Sequence, residues 1–64
     1  MKIQNIIAIN GYTLLIYCLD RLYRFSIIDP SGVTFNFDCK FLTAEAANAE
    51  GRVAVEIAYS LDRI

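Results

Sequence analysis

Among the groups in this chain able to move protons, hold metals or attack a carbonyl are seven carboxylates and two thiols; its 64 residues include no histidine. Without an imidazole, the Cys–His and Ser–His pairs that activate a nucleophile are unavailable. Asp38, Glu45 and Glu50 supply carboxylates, but acid–base work needs two of them around a cleft. Nothing in their spacing builds one, and a single small sheet with one helix offers little concave volume. No enzymatic activity and no small-molecule substrate are expected. Cys18 and Cys39 give two sulfurs where a zinc site takes four ligands, so neither a metal nor a cofactor is expected. A bridge between them is conceivable; two reduced thiols serving as small buried hydrophobes fit better.

Bulk composition narrows the partner. Six basic residues face seven acidic ones, for a net charge of −1. Nucleic-acid binders carry a surplus of Lys and Arg, because neutralising phosphates supplies most of their affinity. The stretch from Ile3 to Leu19 has no charge at all. It is too short and too polar at its centre for a membrane span, which needs about 20 apolar residues, and it lacks the basic start and cleavage site of a signal peptide. The expectation is a cytoplasmic protein and one small domain over residues 1–64, near the lower size limit for an unaided hydrophobic core.

Those groups are positioned by strands through the first two-thirds of the chain. Ile3–Ile9 and Tyr12–Leu19 flank Asn10-Gly11, the residue pair that a type I′ turn demands because both central positions need positive φ. Asp20-Arg21 gives a second two-residue turn, followed by the alternating strand Tyr23–Ile28. Asp29-Pro30-Ser31-Gly32 predicts a type I turn, with Gly in the left-handed position of a three-residue loop. Val33–Asp38 alternates again.

The last third changes period. Thr43 is a candidate N-cap, with Glu45 in the first turn complementing the helix dipole. One helix over about Ala44 to Leu61 is expected, although Val53, Val55, Ile57 and Tyr59 also alternate as a strand would. A helical projection puts Ala46, Ala47, Val53, Ala54, Ile57, Ala58, Leu61 and Ile64 on one side. Val55 and Tyr59 fall on the other, where Arg52 and Glu56 can pair. Glu50 projects near the centre of the apolar side and is expected to reach past the sheet end to solvent or Lys40, in preference to serving as a buried ligand carboxylate.

Turn lengths fix the register. Ile7 should face Leu14, Leu14 should face Ile27, Ile16 should face Phe25, Ile27 should face Phe35 and Phe25 should face Phe37. One sheet face then collects Ile7, Ile9, Tyr12, Leu14, Ile16, Tyr23, Phe25, Ile27, Phe35 and Phe37, and the helix should lie across it. The fold class is therefore α+β: an antiparallel meander of three to four strands with one C-terminal helix packed on one face.

The opposite face carries the remaining candidate site. Ile6, Leu15, Tyr17, Leu19, Leu22 and Ile28 lie there beside polar Arg24, Ser26, Thr34, Asn36 and Asp38. Its first hairpin is apolar where a wet face should be polar, and a patch of several hundred Å² marks an interaction site. A competing reading has the first segment leave the sheet and bury these residues within the monomer.

The runs Gly11-Tyr12-Thr13, Tyr23 to Gly32 and Phe41 to Ala47 resemble short β-β-β-α proteins common in cyanobacteria. In those, a meander ending in an Asp-Pro-x-Gly turn precedes a "T-x-E-x-A" helix start. The resemblance covers about three-quarters of the chain and implies the fold alone. The topology is also similar to double-stranded-RNA-binding and arm-type integrase domains, but their basic residues are missing. The functional expectation is a non-enzymatic protein-interaction module, a homodimer pairing through the outer face or edge of the first hairpin. The alternatives are a regulator or inhibitor docking on a larger enzyme, and a nucleic-acid-associated module.

Overall fold

Asn10 and Gly11 both hold positive φ, at 53° and 84°, and so do Asp20 and Arg21, at 55° and 66°. Two tight turns of this kind double the chain back twice, and the third reversal follows at Asp29–Val33. There the Gly32 N–H donates to the Asp29 carbonyl and the Asp29 N–H to the Val33 carbonyl, each at 2.9 Å. Gly32 takes the left-handed position, with φ of 93°. The computed structural model describes residues 1–63. Its strands are β1 (Lys2–Ile9), β2 (Tyr12–Leu19), β3 (Leu22–Ile28) and β4 (Thr34–Asn36), followed by the helix α1 (Ala44–Asp62). The strands form one antiparallel sheet in the order β1-β2-β3-β4. The first segment thus belongs to the sheet.

The register follows from the turns. Ile7 faces Leu14, Leu14 faces Ile27, Ile16 faces Phe25 and Ile27 faces Phe35. Two places depart from simple alternation. In β1, Ile3 faces Tyr17 while Asn5 faces Ile16, so Gln4 is an extra residue, a β-bulge. At the other edge the last strand stops at Asn36, short of the expected Asp38. Tyr23 pairs instead with Phe41, through two backbone hydrogen bonds of 2.8 Å. Phe37 therefore reaches Phe25 from outside the sheet, with ring centroids 4.8 Å apart, and Phe41 stacks on Phe25 from further along.

The Thr43 side chain caps α1 by accepting from the Ala46 N–H at 3.1 Å, which satisfies a donor the first turn leaves open. The helix packs on β2 and β3, and the core consists of Tyr12, Leu14, Ile16, Phe25 and Ile27 against Ala47 and Val55. The helix is rotated from its expected setting. Its buried residues are Ala47, Gly51 and Val55, whereas Val53, Ile57 and Leu61 are exposed. Val55 is completely buried and Tyr59 half-buried, so the pair forms no outer spot. Gly51 explains the rotation: a Cβ there would meet Leu14 Cδ1 at 2.6 Å. Three residues at i, i+4 and i+8, two of them the smallest available, bring the helix axis closest to the sheet. A stripe of Val, Ile and Leu would hold it off. Ile64 lies outside the described residues. Arg52 donates to Asn48 Oδ1 at 2.8 Å in place of pairing with Glu56, which accepts from the Asn10 side chain at 3.3 Å.

Candidate functional site

Alternation along β2 and β3 sends Leu14, Ile16, Phe25 and Ile27 to the helix, and therefore Leu15, Tyr17, Leu19 and Leu22 to the opposite face, which carries no second layer. Ile6 faces Leu15 across the ladder, Tyr17 faces Arg24, and Leu19 faces Leu22. These side chains sit on one surface. Ile28 faces Thr13 at the far side, separated from the rest of its strand's apolar residues by Ser26 and Arg24. Ile6 is 64% exposed, Leu19 is exposed, and Leu15, Tyr17, Leu22 and Ile28 are half-buried by their neighbours.

The bulge adds a residue to this surface that alternation would have hidden. Residues that face each other across a ladder share a side, so Ile3, opposite Tyr17, lies on the outer face and is 50% exposed. Strict alternation would put it with Ile7 and Ile9 toward the helix. The sequence carries the signal: in Ile3-Gln4-Asn5-Ile6-Ile7 two polar residues follow one apolar residue and precede two more, a slip in the period of two.

At the centre of the face, Ser26 is only 3% exposed although it lies on the side away from the helix. Its hydroxyl donates to Asn36 Oδ1 at 2.6 Å, as a covered polar group must. The Nε of the half-buried Arg24 is shielded from solvent and has no hydrogen-bond partner among the described residues.

A second surface comes from the rotation of α1. The helix covers β2 and β3, and β4 is only three residues long. A groove of about 450 Å³ is left between its C-terminal half and the β4 edge. Tyr12, Ile27 and Phe37 line it from the sheet side, Ala54 and Ala58 from the helix, and Phe35, Ile57 and Leu61 stand along its rim. Phe35, expected in the core, is 49% exposed there. This concavity exceeds the little volume expected of so small a fold. Asp29 and Asp62 also line it. The Tyr12 hydroxyl donates to Asp62 Oδ2; that bond, then desolvation and the nearby charges of Asp62 and Asp29, push the tyrosine pKa up to about 12. Asp29 Oδ1 accepts from the Val33 and Ser31 N–H groups and the Ser31 hydroxyl. The Val33 N–H, then the Ser31 hydroxyl, hold its carboxyl below the usual range.

The other candidates disperse. Glu50 is exposed rather than buried among apolar side chains. Both cysteines are free thiols, Cys18 half-buried and Cys39 exposed, so Cys39 is no core hydrophobe; it lies in the irregular link before α1. Among the described residues no cluster of His, Cys, Asp and Glu has metal-binding geometry, and no helix is long and apolar enough to cross a membrane. Comparison with protein-family models, with curated proteins and with solved structures found no match.

Proposed function

We propose that this protein is a non-enzymatic interaction module that self-associates through the outer face of its first hairpin. The observation that carries this reading is the outward placement of Ile3 by the bulge. Ile3, Ile6, Leu15, Tyr17 and Leu19 then share one sheet face, with the helix on the other. Covering ~400 Å² of such surface contributes on the order of 10 kcal/mol of gross transfer energy, from which association costs subtract much. A standard interface takes about 800 Å² per partner, roughly a fifth of this molecule's 4358 Å². Tyr17 beside Arg24 supplies the residue types in which binding energy concentrates.

Face pairing is favoured over edge pairing because Lys2 and the bulge at Gln4 interrupt β1 where a flat ladder would have to continue. The proposal includes a cytoplasmic setting, to which two free thiols are suited. Sedimentation equilibrium at high micromolar concentration should give a dimer mass for the wild type. Leu15→Lys with Tyr17→Lys should give a soluble monomer with unchanged circular dichroism. A wild type that is monomeric under those conditions refutes self-association.

A further inference from the structure

The groove beside β4 lies on the helix side of the sheet and shares no residue with the self-association surface, so it poses a separate question. Its two ends differ in chemistry. Along most of its length it is apolar, with Phe35, Ile57 and Leu61 at the rim and Ile27 and Phe37 below. At one end Asp29 and Asp62 flank the Tyr12 hydroxyl, which is hydrogen-bonded to Asp62. No Lys or Arg is among the described residues that line it. Arg63, the cation next to Asp62 in sequence, is held elsewhere: it donates to the Tyr59 hydroxyl at 2.9 Å, and its guanidinium carbon lies 5.1 Å from that ring's centre.

We propose that this groove binds a single-chain amphiphilic cation, with its aliphatic tail along Phe35, Ile57 and Leu61 and its ammonium head between Asp29 and Asp62. The size is right, since small-ligand sites run to roughly 300–1,000 Å³ and are mostly apolar with a few placed polar groups. The charge is complementary, because two carboxylates with no opposing cation attract an ammonium and repel a carboxylate or phosphate head. Asp29 is suited to staying ionised, since three donors already satisfy one of its oxygens. The head would sit at the open end, where its charge stays partly hydrated and the desolvation penalty of a buried ion pair is largely avoided.

The test is a titration with decyltrimethylammonium below its micelle-forming concentration, followed by amide chemical shifts, with decyl sulfate as the same chain carrying the opposite charge. Saturable one-to-one binding is expected, with shifts at Phe35, Ile57, Leu61 and Asp62. The cation should bind about ten-fold more tightly than the anion. Asp62→Asn, which retains an acceptor for Tyr12, should reduce that preference at least about three-fold. Leu61→Gln, an exposed rim change that leaves the core alone, should weaken both probes together. Equal binding of the two probes overturns the proposal, as does the absence of saturable binding. Shifts centred on Ile6, Leu15 and Tyr17 overturn it too, as do groove shifts that grow with protein concentration alone, which mark a second copy as the occupant. In the Leu15→Lys, Tyr17→Lys background the titration reads the groove independently of self-association.

Discussion

Arg21 holds a φ of 66°, directly after Asp20 at 55°, and a side chain bearing Cβ in that region carries a cost of roughly 1–2 kcal/mol. The equivalent position of the first turn is Gly11, at 84°, where no such cost arises. Arg21→Gly should therefore stabilise the fold by about 0.5–1 kcal/mol, after the greater flexibility of glycine in the unfolded chain is subtracted. A urea midpoint that stays put or falls would contradict this. Asp29 makes a different residue-scale prediction. Its carboxyl is held below the usual range by the Val33 N–H and the Ser31 hydroxyl, so its charged form belongs to the folded state. The stability it lends is complete above the unfolded value, about 3.9, and is lost as pH falls through the lower folded value. Denaturation midpoints of the wild type and Asp29→Asn should differ by a constant amount from about pH 7 down to about pH 5, then converge in stronger acid. A gap that persists unchanged into strong acid would show that the loop does not depend on the charge.

Between elements, the decisive contact is Gly51 against Leu14. Adding a methyl group at Gly51 places it 2.6 Å from Leu14 Cδ1, inside a side chain that is fully buried. Alanine favours the helix by about 1 kcal/mol, while overpacking costs about 1–3 kcal/mol. The net expectation for Gly51→Ala is a loss of about 1 kcal/mol. With Leu14→Val the clash is relieved, and the same substitution should turn neutral or stabilising; a double-mutant cycle on thermal midpoints reads that reversal. The same contact shows why the helix setting was not legible in the sequence. A projection weighted by hydrophobicity puts Val53, Ile57 and Leu61 inward, because it cannot register that two small residues one turn apart admit the closest approach. The strands were more legible. The first and third turns have residues of the required conformational type, and the register from Ile7 to Phe35 follows from loop length alone. Beyond the last strand Phe41 pairs with Tyr23, a tertiary pairing that no local pattern encodes.

At the scale of the whole molecule, the principal extents are 37 × 18 × 18 Å, enough for one helix on one sheet and nothing more. A two-layer body of this thickness leaves the far side of the sheet bare, so the apolar residues of the first hairpin have no intramolecular cover to find. That much of the candidate site was legible from alternation, and Ile6, Leu15 and Tyr17 lie where alternation puts them. The groove was not, since it exists only because of how the helix is turned.

The extra residue at Gln4 has a consequence for how such a protein changes over generations. Excising that one codon would remove the bulge and restore strict alternation, with Ile3 still opposite Tyr17 and Lys2 still opposite Cys18. The exposed face would keep Ile3, while the edge of β1 would lose the irregularity that interrupts its free ladder. A single deletion is thus a short mutational path from an interrupted edge strand to a regular one, with both faces of the sheet unchanged.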